Sequence, residues 1–248
     1  MQDFLSHIGE LTRMRINALR GGFRAPSLRR AIEGRNAEGF LALIGEYKRA
    51  SPSGVIQLNI DPWTYFSRLR DYVAGFSVLV EPIYFLGSPH LVSIAVSFGK
   101  PVLYKDFVIS REQVNEASGL GASAVLLITR LLGEGIGEFI DYSRRQGLEP
   151  LVEVDNLEDA LRVLDLDRNV MLGINSRDLG NLSVSIARAV EIIRGVRSRA
   201  DLIIAESGVN GVREALELAR AGANAVLVGT ALMKKPELAV ELSGVRLA

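Results

Sequence analysis

The chain has 248 residues, 48% of them hydrophobic and 23% charged, a balance that supports a large buried core and excludes a disordered segment. Lys plus Arg and Asp plus Glu each total 29, so the formal net charge is zero; this excludes a broad electrostatic footprint for nucleic acid or an anionic membrane. There is no Cys, and only His7 and His90 could offer imidazole, which excludes disulfides and thiolate catalysis and speaks against a metal centre.

No apolar run approaches the ~20 residues of a membrane span. The amino terminus carries Asp3, Glu10 and several arginines, unlike a secretory signal, so a cytoplasmic protein is expected. QDFLSHIGELTRMRINALR has apolar residues at helical spacing, GGFRAP interrupts it, and SLRRAIEG begins a second helix with Ser27 as N-cap. This helical extension, residues 1–40, has two possible placements in a barrel: a plug across the bottom or a cover over the mouth.

From residue 41 onward, short apolar runs alternate with helical segments. The runs are LALIGEY (41–47), GFSVLVE (75–81), PVLYKD (101–106), ASAVLLI (122–128), EPLVEV (149–154), VMLGIN (170–175), LIIAE (202–206) and NAVLVG (224–229). Between them lie amphipathic stretches such as DPWTYFSRLRDYV, NLEDALRVLD, SIARAVEIIRGV and VREALELARAG. Runs of this length are strands buried on both faces, and the alternation gives βαβ units. Eight units in a chain near the ~250 residues of a barrel enzyme predict an α/β protein, one (β/α)8 TIM barrel domain. An open doubly wound sheet would carry a GxGxxG turn after an early strand, and none is present.

Barrel chemistry sits at the carboxyl ends of the strands. Those ends read Glu46 with Lys48, Glu81, Lys105 with Asp106, Glu153, Asn175 with Arg177 and Asp178, Glu206 with Ser207, and Gly229 with Thr230. Residues two apart on a strand share a face, so Glu46 and Lys48 point together into the mouth. One such residue is an ordinary first solvated position; many converging on one mouth make an acid–base site, since a lysine beside carboxylates donates a proton or anchors an anion. Gly208, Gly229 and Thr230 after the last two strands let backbone N–H groups approach a phosphate, with hydroxyls from SPSG (51–54) adding donors. The residues themselves therefore point to a phosphorylated small-molecule substrate, with no metal, cofactor, nucleic acid or membrane as partner; they leave the oligomeric state open, a monomer being compatible.

EYKRASPS, VEPIYFLGS, YKDFVIS, LVEV, GINSRDL, AESGV and VGTALM occur in that order, and with them the chain resembles the indole-3-glycerol phosphate synthase family from about Phe23 to Lys235. The resemblance implies a decarboxylating, dehydrating ring closure of 1-(2-carboxyphenylamino)-1-deoxyribulose 5-phosphate in tryptophan biosynthesis, without a cofactor. It makes Lys105 the general acid toward the ketone oxygen and Glu153 the acid or base of the dehydration. Lys48 would hold the anthranilate carboxylate, or exchange roles with Lys105 in the dehydration. Glu46 and Asn175 would orient Lys48 and the substrate, and Glu206 would face the substrate's polar chain. Phe85, Phe107 and Leu126 would form the aromatic slot, Arg177 a contact near the sixth strand, Ser51, Gly208, Gly229 and Thr230 the phosphate site, and Ser207 a further substrate contact. The family's helical extension lies near the active face, which favours the cover placement for residues 1–40. Departures are Val80 for threonine, Gly45 for alanine, and Leu86 for a polar residue, the last leaving the second loop only to pack. The sister barrel phosphoribosylanthranilate isomerase needs a cysteine this chain lacks, and a silent binding barrel would have lost Lys105 or Glu153.

Overall fold

The structure, a computed structural model, describes residues 5–6, 8–9, 12–13, 25–178, 180 and 182–247. Eight parallel strands close into a barrel: β1 (Ala42–Tyr47), β2 (Gly75–Leu79), β3 (Val102–Lys105), β4 (Ala124–Ile128), β5 (Glu149–Val154), β6 (Met171–Asn175), β7 (Leu202–Glu206) and β8 (Ala225–Val228). Each strand pairs with its neighbours in the chain, and β1 closes on β8 with Ala42 opposite Ala225. This is the expected (β/α)8 architecture, with strand ends within two residues of those the apolar runs predict.

The period of two along each strand divides the core into two layers. Ile44, Leu103, Leu126, Leu151, Ile204 and Leu227 fill the barrel interior. Their neighbours, such as Leu43, Tyr104, Leu127, Val152 and Ile203, pack outward against the helices. On this outer face Gly45 lies where a Cβ would stand 3.0 Å from Leu69 Cδ2 and 3.2 Å from Val73 Cγ1, so the departure from alanine goes with a closely seated helix Pro62–Leu69.

The helix Leu28–Ala37 settles one of the two placements for its own residues. Ser27 caps it, its hydroxyl accepting from Arg30 N–H at 3.0 Å. Glu149, the first residue of β5, accepts from the Ser27 hydroxyl at 2.5 Å and from the N–H of Leu28 at 2.8 Å and Arg29 at 3.1 Å. A carboxylate there satisfies free N–H groups and meets the positive end of the helix. Leu28 and Ile32 are fully buried with Ala42, Ala124, Met171 and Leu202 at the strands' amino ends. Gly75 admits Leu28: a Cβ there would lie 2.7 Å from Leu28 Cδ1. The cover placement is thus corrected for residues 28–37, which plug the barrel bottom. The preceding helix expected over QDFLSHIGELTRMRINALR lies largely outside the described residues.

Two elements went unforeseen. Helix Pro89–Val96 reads PHLVSIAV, apolar on most sides and therefore as easily a strand by pattern. The SPSG turn closes a small hairpin in which Ala50–Ser51 pairs with Gly54–Val55. Among the described residues no helix is long and apolar enough to cross a membrane.

If the plug is part of the core, Leu28→Ala should lower unfolding free energy by ~2–5 kcal/mol, the range for a truncated buried leucine. Urea unfolding measures it, and a loss below ~1 kcal/mol would show that the helix merely rests on the barrel.

Candidate active site

The carboxyl ends of the strands surround a cavity of about 810 Å³. Its floor is the last inward-facing position of each strand, where the apolar interior gives way to charge. Lys48 Nζ lies 2.7 Å from Glu46 Oε1, Glu46 Oε2 lies 3.2 Å from Lys105 Nζ, and Lys105 Nζ lies 2.5 Å from Glu206 Oε2. Two ammoniums and two carboxylates therefore alternate in one chain, with Glu46 shared between both lysines. Tyr65 donates its buried hydroxyl to the Glu46 carbonyl at 2.8 Å, anchoring the end of β1.

The charge pattern sets the proton affinities. Burial alone would raise Glu46, but the Lys48 and Lys105 ammoniums outweigh it and hold the carboxyl down at about 2. Burial alone would lower Lys105, but the carboxylates of Glu206, Glu46 and Glu153 outweigh it and raise the ammonium above its ordinary range. Glu153 goes the other way. Burial and the neighbouring Glu206 carboxylate push it up to about 8, against the opposing influence of Lys105 and a hydrogen bond with Asn175. At neutral pH Glu46 is thus ionised and Lys105 charged, while Glu153 keeps its proton.

Of the fifteen residues to which the family resemblance gives a role, fourteen line the cavity: Glu46, Lys48, Ser51, Phe85, Lys105, Phe107, Leu126, Glu153, Asn175, Arg177, Ser207, Gly208, Gly229 and Thr230. The exception is Glu206. It is fully buried and lies beneath Lys105, so the expectation that it faces a substrate's polar chain is corrected; it holds the lysine instead. Asn175 likewise turns to Glu153 and accepts from the Arg177 N–H at 2.9 Å, and the carboxylate on Lys48 is that of Glu46. The rings of Phe85 and Phe107 lie 5.9 Å apart at 39° and form one wall. Arg177 keeps its guanidinium on the Leu182 carbonyl at 2.8 Å.

At the other side, β7 ends in a turn where Ser207 (φ 65) and Gly208 (φ 80) are both left-handed. A Cβ on Gly208 would meet Ile186 Cδ1 at 2.8 Å and Val184 Cγ1 at 2.9 Å, so both conformation and space require glycine. Gly229 is the N-cap of the short helix Thr230–Lys234, whose first turn opens into the cavity and suits an anion. Gly229 has a second reason to be bare, because a Cβ there would collide with Glu46 Oε1. Among the described residues no group of three or more His, Cys, Asp or Glu side chains could hold a metal ion.

This arrangement agrees with comparison by sequence. The family model described as indole-3-glycerol phosphate synthase matches residues 11–245. The chain belongs to the indole-3-glycerol phosphate synthase family. A relative of that name from Pyrobaculum arsenaticum is 46% identical over 241 residues, covering 97% of this chain and 95% of the relative. Another from Pyrobaculum neutrophilum is 49% identical over 207 residues, covering 83% and 82%. Among solved structures, a mutant tryptophan synthase alpha-subunit from Pyrococcus furiosus superposes with a TM-score of 0.62 at 16% identity, covering 84% of this chain and 99% of that one; this likeness concerns the fold alone.

The structure also corrects one strand end and brings in residues that strand-end reading missed. Glu81 does not enter the synthase cavity: its carboxylate accepts from the N–H groups of Ile83, Tyr84 and Phe85 at 2.7–3.0 Å and organises its own loop. That loop does more than pack. Arg49 donates to the Leu86 carbonyl, from Nε at 2.8 Å and from Nη2, so the second loop is hydrogen-bonded through its backbone although Leu86 has no polar side chain. Arg130, just past β4, reaches Asp155 at 3.5 Å and Asp178 at 3.9 Å, joining three loops. The signal for it was the TR that directly follows ASAVLLI.

The Glu153 shift has a consequence for stability. Its ordinary value is 4.5 and its folded value about 8, so between these pH values the folded state keeps a proton the unfolded state has lost. Stability from this group is full below about 4.5 and declines as pH rises to about 8. Glu153→Gln removes the titration, so the variant should gain on the parent in urea unfolding as pH goes from 5 to 8. A difference between the two that stays constant across that range would contradict the assignment.

Proposed function

We propose that this chain closes the indole ring of 1-(2-carboxyphenylamino)-1-deoxyribulose 5-phosphate, releasing carbon dioxide and water to give indole-3-glycerol phosphate. Membership of the family supports the reaction. The observation that carries the residue roles is the Lys105 ammonium, held between Glu206 at 2.5 Å and Glu46 at 3.2 Å on the cavity floor. A buried ammonium steadied by two carboxylates presents its remaining proton in a fixed direction.

The substrate's two ends fit the two sides of the cavity. The anthranilate ring lies in the slot of Phe85, Phe107 and Leu126, with its carboxylate on Lys48. The phosphate takes the turn at Ser207 and Gly208, the helix start at Gly229 and Thr230, and the Ser51 hydroxyl, with Arg177 flanking the chain between. Held at both ends, the ketone carbon comes against the ring carbon that bears the carboxylate, a gain from orientation.

Chemistry then runs in two stages. As the ring carbon attacks, Lys105 gives a proton to the ketone oxygen, which becomes a hydroxyl. Carbon dioxide leaves with the electron pair returning to the ring, restoring its aromaticity. In the second stage Glu153, protonated at neutral pH because of its position, gives its proton to the departing hydroxyl. Lys105, now neutral, takes a proton from the methylene carbon, and the indole double bond forms. One proton from water reloads Glu153, which balances the loss of the carboxylate as carbon dioxide.

Incubating the protein with this substrate and following indole fluorescence tests the proposal. The parent should turn over, and Lys105→Ala should lower kcat by ~10²–10⁴-fold, the usual loss for a general acid, with substrate binding largely kept. No indole from the parent would overturn the reaction, and a variant within a few-fold of the parent would overturn the role of Lys105.

A further inference from the structure

Gly173 stands in the middle of β6, between Leu172 and Ile174, all fully buried. Glycine weakens a strand interior, so its presence there has a cause. Conformation is not that cause, since Gly173 is outside the left-handed region that Gly208 and others occupy. Space is. Met171 and Asn175, two residues to either side, face the barrel interior and the cavity, so position 173 faces inward as well. A Cβ there would stand 2.5 Å from Glu206 Oε1, 3.2 Å from Leu151 Cδ1 and 3.5 Å from Glu153 Cα.

The Glu206 carboxylate has nowhere else to go without loss. Its residue has no exposed surface, and Oε2 is committed to Lys105 at 2.5 Å. Oε1 is buried and rests over the bare Cα, while the carboxylate shares a side-chain hydrogen bond with Glu153. In register, Gly173 lies opposite Glu153 on β5 and Ile204 on β7. We propose that Gly173 is a positioning residue of the active site, its missing side chain forming the seat that keeps the Glu206 carboxylate on Lys105 and beside Glu153. The effect on turnover rests on the function proposed above, whereas the seat itself does not.

A methyl group at 173 would swing the carboxylate away from β6. The groups facing Glu153 are Glu206 from β7, Lys105 from β3 and Asn175 from β6, with Glu46 of β1 acting through Lys105. On the remaining side β4 has no ionisable side chain between Ala124 and Ile128. Moving Glu206 therefore weakens the neighbouring negative charge that disfavours ionisation of Glu153, and Glu153 should lose its proton at lower pH.

Carboxyl carbon NMR of the full chain, with Glu153→Gln to assign the resonance, reads this directly. In Gly173→Ala the Glu153 midpoint should fall by at least ~0.5 unit, and the limb of the kcat–pH profile that it controls should shift the same way. A loss of stability with an unchanged midpoint would overturn the proposal. A second arm uses Glu206→Asp, whose carboxylate is one methylene short of the added methyl. On that background Gly173→Ala should cost kcat/KM no more than ~2-fold, far less than in the parent; equal losses on both backgrounds would overturn it. Should Gly173→Ala alone fail to fold, Gly173→Ala with Glu206→Ala should fold, and failure of the double variant would count against the seat. Because the titration needs no substrate, a parent that forms no indole would overturn the proposed reaction and not this inference.

Discussion

The Lys105 ammonium, pinned between Glu206 and Glu46 inside the barrel mouth, is the contact on which the rest of the site depends. A lone charge at that depth would be costly, and removing Lys105 would leave the Glu206 carboxylate buried without its ion pair. The alternation of Lys48, Glu46, Lys105 and Glu206 balances the two signs. Burial, together with the Glu206 carboxylate it faces, is the physical reason that Glu153, one strand away from Asn175, stays protonated. One cluster thereby contains a cationic acid and a neutral acid, as the two successive protonations we propose require.

The scaffold makes room for that cluster by what it omits. Gly229 leaves space for Glu46, Gly173 for Glu206 and Gly75 for Leu28 of the plug. The first two belong to the charged end and the third to the sealed end. Between them the interior is apolar, so polar side chains are confined largely to one layer. The loops above are braced by backbone and ion pairs, through Arg49 on the Leu86 carbonyl and Arg130 between Asp155 and Asp178. The proposed acids Lys105 and Glu153 thus stand on strands, and the loops that shape the cavity are tied to one another.

Much of this was legible in the sequence because parallel strands announce themselves as unbroken apolar runs, and a charge directly after such a run marks the mouth. That logic found Glu46, Lys48, Lys105 and Glu153 at once. It failed where neighbours across the barrel decide. Glu206 reads like any other strand-end carboxylate, and only the structure shows it beneath Lys105 rather than at the cavity wall. Glu81 has the same sequence signature yet caps its own loop. Gly173 looks like a weak point in a strand, because the carboxylate that needs its space comes from β7. The helix Leu28–Ala37 has a clear cap in Ser27, but its end of the barrel is set by Glu149, 122 positions along the chain.

The central claim is that Glu46 acts through the lysine it holds. Groups that work as one unit give non-additive losses, whereas independent ones multiply. The direct measurement is kcat/KM for Glu46→Gln, Lys105→Met and the two combined. The account predicts a double variant that loses clearly less than the product of the two single losses, since without Lys105 the carboxylate has only Lys48 left to orient. A double variant whose loss equals the product of the two single losses would contradict it.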